Sequence, residues 1–154
     1  MCILHQEKKR WLLPKGRKNY NETMGDACLR ETQEETGYPC EFIPLRMPTR
    51  ATEPGDIVGE DLPISRDGMT EPVGGTIEER GAKGCKLILW YVTRVKNGAV
   101  KADGTQMVFE DYESHFVAAE QAIDMLSFSQ HKDIAAQAID LVKKTEAVLK
   151  QYIV

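Results

Sequence analysis

Short apolar runs separated by charged or turn-forming residues organise this chain, and their periodicity alternates between that of strands and that of helices. Cys2–His5 and Arg10–Leu13 flank the charged Gln6-Glu7-Lys8-Lys9, a pattern that predicts a hairpin with Pro14 ending its second strand. Thr23-Met24-Gly25-Asp26 carries the T-x-x-D start signal of a helix. That helix is predicted to run to about Thr36, where Gly37 suits the left-handed conformation that stops it. Its inner face would present Met24, Ala27 and Cys28, small or flexible residues that allow close approach to a sheet.

Cys40–Leu45 is predicted as a strand, and Cys85–Val95 (CKLILWYVTRV), the most hydrophobic run, as a central one. Between them, Pro48–Pro72 holds prolines, glycines and acids with few apolar residues, which predicts a long mobile loop and a candidate lid. Asn97-Gly98 is a strong turn signal leading into Ala99-Val100. Met107–Phe109 and Ser114–Val117 are expected as short strands. Ala118–Met125 should be a helix, with Ala119, Ala122 and Ile123 in period, and Gln130–Gln151 a longer one. Strands around one helix, followed by C-terminal helices, make an α+β layout.

Composition narrows the class without naming a function. A chain of 154 residues is one domain that buries about two-thirds of its extended surface. Its 42% hydrophobic and 29% charged content is ordinary for a soluble globular protein. No apolar run approaches the roughly 20 residues that span a bilayer, and MCILHQEKKR has too short an apolar core for a secretion signal. Cys2, Cys28, Cys40 and Cys85 show neither C-x-x-C pairing nor histidines at zinc spacing, so free thiols in a reducing compartment, the cytoplasm, are expected.

Chemistry concentrates in GRKNYNETMGDACLRETQEETGY. There Gly16, Glu22, Arg30, Glu31, Glu34, Glu35 and Gly37 fall in the order G-x5-E-x7-R-E-x-x-E-E-x-G. Glu31, Glu34 and Glu35 are spaced i, i+3, i+4, which puts three carboxylates on one strip of a helix. Like charges so placed repel by roughly a few tenths of a kcal/mol per pair. A hard divalent cation ligated by oxygens would reward the arrangement. With residue frequencies of about 6% at seven positions, chance gives this pattern with odds on the order of one in a million. The strip is therefore read as a site rather than a solvated face.

The stretch resembles the box of the Nudix hydrolases, G-x5-E-x7-R-E-U-x-E-E-x-G-U with U bulky and apolar. Thr32 departs at the first U, while Tyr38 satisfies the second. The resemblance implies an α/β/α sandwich with a mixed sheet, and metal-assisted hydrolysis of a diphosphate with Mg²⁺, or Mn²⁺, as cofactor. It implies Glu31, Glu34, Glu35 and the backbone carbonyl of Lys15 as metal ligands. Arg30 and Glu22 would brace loop and helix. Glu34 is the first choice of general base; Glu110 and Glu113 lie where other members carry it on a later loop. Nudix proteins usually have a strand or more ahead of the segment leading to the box, so Met1 is expected to begin a shortened chain.

Charge suggests the substrate. The chain carries −4 overall, yet Lys8, Lys9, Arg10, Lys15, Arg17 and Lys18 fall in one stretch without an acid, and Arg46 and Arg50 follow the next strand. A cationic rim beside a metal cluster would attract a small molecule bearing several phosphates. LPKG before the box resembles the diadenosine polyphosphate and diphosphoinositol polyphosphate hydrolases, fungal ones included, and MPTRA, TEP and KLILWYV resemble fungal sequences. That resemblance implies inositol pyrophosphates as the leading substrate and is compatible with an exported effector. The alternative, a dinucleoside polyphosphate or capped RNA, needs an aromatic clamp, for which Tyr20, Trp90, Tyr91 and Phe128 are available. His131 is a further phosphate contact to test. A ligand sensor or protein-binding module without turnover is the reading from another class.

Overall fold

The computed structural model describes residues 1–52, 55 and 62–151. The predicted hairpin is present: β1 (Cys2–His5) and β2 (Arg10–Leu12) pair antiparallel with Ile3 opposite Leu12. The other edge of β1 takes β9 (Tyr112–His115), with Ile3 opposite Ser114. Successive strand residues face opposite sides, and here both sides are covered. Cys2 packs against Leu126 and Ala135, whereas Ser114, beside Ile3, donates its hydroxyl to the Thr36 carbonyl at 2.8 Å. The strands thus lie between α1 (Met24–Thr36) and the pair α2 (Ala119–Met125) and α3 (Ser129–Gln151).

Local rules set α1. Thr23 caps its start, accepting from the Asp26 N–H at 3.1 Å. Gly37 ends it at φ 81° and donates its N–H to the Gln33 carbonyl at 2.8 Å. A Cβ at Gly37 would also sit 2.6 Å from the Ala102 carbonyl oxygen, so the position needs glycine twice over. Thr32 is buried, and its hydroxyl donates to the Cys28 carbonyl at 2.7 Å.

Several strand predictions need correction. The run Cys40–Leu45 breaks at Ile43-Pro44, leaving β3 (Cys40–Phe42) and then β4 (Leu45–Thr49). Cys85–Val95 splits into β7 (Cys85–Trp90), paired with β6 (Gly74–Glu79), and β8 (Thr93–Val95), paired with β3. The Val73 N–H donates to Trp90 and the Ile43 N–H to Val92, so the chain changes partner across Tyr91. Pro48–Pro72 is not loop throughout: β5 (Ile64–Met69) returns along β4, and the lid assignment falls on positions 53, 54 and 56–61, outside the described residues. Met107–Phe109 forms an exposed turn closed by Glu110 N–H to Met107 O at 2.9 Å, and Ala99 closes a turn onto Lys96. The main core joins Leu45 and Met47 of β4, Ile88 and Trp90 of β7, and Ile134 and Leu141 of α3. All four cysteines are free thiols.

Candidate active site

Arg30 is the hub of the site. Its guanidinium donates to Glu22 through Nε (2.8 Å) and Nη2 (3.0 Å), to Glu31 (2.8 Å) and Glu34 (2.9 Å) through Nη1, and to the Arg17 carbonyl (2.8 Å). The planar fork suits this work because its donors leave in fixed directions. Glu22 also accepts the Asn19 N–H at 2.8 Å, which ties the loop before α1 to the helix. Arg30, followed by that backbone bond, holds the Glu22 carboxyl down at about 2. The repulsion along the glutamate strip therefore already has a protein counter-charge for Glu31 and Glu34.

Glu35 is different. It is 2% exposed, and its carboxylate accepts the Lys15 N–H at 2.7 Å. Burial pushes its pKa up to about 8; the Lys15 N–H opposes that, and the charges of Glu110 and Glu31 add to it. Glu31 turns toward the same stretch of loop. A Cβ on Gly16 would lie 1.5 Å from a Glu31 carboxylate oxygen, so the carboxylate occupies the space a side chain would need. Glu31 and Glu35 thus bracket residues 15 and 16. Gly16→Ala is expected to lower turnover on the order of 100-fold by displacing this loop; circular dichroism should show the fold intact.

The loop that carries Thr105 and Gln106 closes the C-terminal end of α1. Thr105 donates its hydroxyl to the Glu34 carbonyl at 2.8 Å, and Gln106 donates to the Glu35 carbonyl at 3.4 Å. Gln106 also exchanges bonds with the Tyr112 backbone, 2.7 Å out and 2.9 Å back. Tyr112 and Glu110 interact electrostatically with Glu35. Glu110 acts on Glu35 only through its charge, while its carboxylate accepts the Met107 N–H at 3.1 Å. Glu113 faces away from Ser114 and α1, and pairs with Gln6 and, at 3.4 Å, with His115. No local pattern marks Thr105, Gln106 or Tyr112, since their partners are remote in sequence.

A cavity of about 660 Å³ opens beside the box loop, lined there by Lys15, Gly16, Arg17, Lys18, Glu31 and Lys86. Its lining also includes Met24, Cys28, Leu89 and Tyr91. The remaining predicted cations are placed elsewhere. Arg10 stacks on Phe128, 5.6 Å from the ring centroid. Arg46 forms a two-pronged ion pair with Asp67 of β5 at 2.8 and 2.9 Å. Arg50 is exposed just after β4. His131 is buried and accepts the Leu13 N–H at 3.2 Å, so it anchors the chain leading to the box loop. Of the aromatics, Trp90 is core and donates to Thr76, Tyr20 is 95% exposed, and Tyr91 lines the cavity.

The family model of the NUDIX domain matches residues 2–138, nearly the whole chain. The protein belongs to the Nudix family. Comparison with curated proteins gave no significant match. The Nudix domain indicates a pyrophosphohydrolase acting on phosphorus-containing anhydrides, and Nudix hydrolases generally use a divalent metal such as Mg²⁺. Among the described residues no three carboxylate, histidine or cysteine side chains converge on one point. Glu31 and Glu34 lean onto Arg30, and Glu35 onto Lys15. The donors nevertheless suit such an ion: all are oxygens, the glutamates share one helical strip, and among the described residues no ion pair engages the buried Glu35, although the Lys15 charge favours its ionised form. Among the described residues, no helix of this Nudix protein is long and apolar enough to cross a membrane.

Proposed function

We propose that this Nudix protein is a divalent-metal-dependent hydrolase of a diphosphate on a densely phosphorylated small molecule, with inositol pyrophosphates as its substrate class. The observation that carries this reading is the cationic lining of the cavity, where Lys15, Arg17 and Lys18 occur with Glu31 in a chain of net charge −4. Glu31, Glu34, Glu35 and the Lys15 carbonyl would hold Mg²⁺ or Mn²⁺. When bound, such an ion neutralises phosphate oxygens and lowers the pKa of a water.

The chain's own groups supply the rest. Arg17 and Lys18 bind phosphates of the substrate and fix its orientation. Arg30 holds Glu31 and Glu34 on their strip, so these two carboxylates are already ordered when substrate arrives. Glu34, partly open to solvent, takes the proton as water attacks the terminal phosphorus. The bond from that phosphorus to the bridging oxygen breaks, the organic phosphate keeps the oxygen and its electron pair, and inorganic phosphate is released. Glu110, whose charge is felt at Glu35, is the second candidate for that proton.

Tyr91 favours one other reading. It lines the cavity and contacts Phe42 at 5.5 Å between ring centroids, which offers a surface for a nucleotide base. Turnover of diphosphoinositol pentakisphosphate, diadenosine polyphosphates and capped RNA with Mg²⁺, compared by kcat/KM, separates the two. We expect the inositol substrate to lead by about tenfold or more, a difference near 1.4 kcal/mol in transition-state binding. Preference for the nucleotides would end the inositol assignment. Binding without turnover of any of them would instead support a ligand sensor.

A further inference from the structure

The β6–β7 hairpin brings to the cavity a cation that the box pattern does not supply. Lys86 lies in β7 directly opposite Glu78 of β6 and lines the cavity with Lys15, Arg17, Lys18 and Glu31. It is half-buried. Among the described residues no hydrogen bond or ion pair holds its ammonium. Glu78, the nearest counter-charge along the strands, is committed to Arg80, Oε2 to Nη2 at 2.8 Å. Burial pushes the Lys86 pKa down, and the charges of Lys15, Arg80 and Arg17 push it the same way against Glu78.

An ammonium drawn partly out of water and crowded by like charges is unfavourable until an anion joins it. These cations come from the box loop and from a hairpin far along the chain, so their meeting is not the by-product of one basic run. We propose that Lys86, together with Lys15 and Arg17, forms a subsite for a phosphate group of the substrate that does not react. Lysine suits the role, since its compact charge and three rotatable donors can serve more than one phosphate oxygen. The reacting diphosphate is left to the glutamate strip. The inference rests on the hydrolase reading above only in calling the carrier of that phosphate a substrate.

Inositol hexakisphosphate has many phosphates but no diphosphate to cleave, so calorimetric titration in EDTA reads the subsite apart from turnover. Wild-type protein is expected to bind it, and Lys86→Gln to bind about tenfold more weakly, the loss of one charge-assisted contact. Lys86→Arg should restore most of the affinity. With diphosphoinositol pentakisphosphate and Mg²⁺, Lys86→Gln should raise KM by a similar factor and leave kcat within about threefold. Equal hexakisphosphate affinity in wild type and a folded Lys86→Gln would overturn the subsite, even if inositol pyrophosphate is hydrolysed. So would failure of the wild type to bind. A tenfold loss in a protein that cleaves no inositol pyrophosphate would keep the subsite and remove the substrate assignment.

Discussion

Glu35→Gln is expected to stabilise the metal-free protein at alkaline pH while lowering turnover by about two orders of magnitude or more. Glutamine keeps an oxygen for the Lys15 N–H and removes a charge from a nearly inaccessible site. In wild type the folded pKa, about 8, lies above the 4.5 of an ordinary glutamate. A raised folded pKa means that Glu35 favours the fold fully only below pH 4.5, and that this contribution is lost as pH rises to about 8. The difference is on the order of a few kcal/mol. Thermal denaturation in EDTA from about pH 5 to pH 9 should therefore show wild type falling and the variant level. Parallel profiles would mean that Glu35 carries no buried charge. Divalent metal should narrow the gap, because it stabilises the carboxylate of wild type alone.

Arg30→Ala should be the most damaging single change to the box. It releases Glu22, Glu31 and Glu34 from their common partner and frees the Arg17 carbonyl. A quarter of the Arg30 side chain remains in solvent (25%), which screens part of the loss. The expected destabilisation is about 2–3 kcal/mol, below the full range for a deeply buried ion-pair network. Turnover should fall by about 100-fold or more, since both the loop and two glutamates lose their positions. Arg30→Lys is expected to recover little, because one ammonium cannot reach four acceptors in different directions. Urea denaturation alongside steady-state kinetics tests this. A lysine variant close to wild type in both would show that charge alone, rather than the fork, organises the site.

The placement of Arg46 shows why charge patterns were harder to read than the box. Arg46 and Arg17 look equally available along the chain. Arg46 is taken by Asp67 only because β5 returns beside β4, and Pro48–Pro72 gives no periodic sign of that return. The single hydrophobic run Cys85–Val95 hides a change of partner from β6 to β3 for the same reason. Strand pairing is a choice between distant segments, and alternation within one segment does not report it.

By itself the sequence determined the parts of this protein governed by short-range geometry. Thr23 and Gly37 bound α1, because caps act within one helical turn. Residues Glu31, Glu34 and Glu35 share a strip because the helix repeat turns spacing into position. Only the tertiary structure decided the energetics of that strip. Arg30 neutralises two of its members through its reach to Glu22 and the Arg17 carbonyl. Glu35 is left buried, and among the described residues without an ion pair, beneath a loop that contributes Thr105 and Gln106, both 71 residues from their partners on α1. Burial and counter-charge depend on what arrives from elsewhere in the chain, and that is where this site acquires its shifted pKa values and the Lys86 that joins the cations lining the cavity.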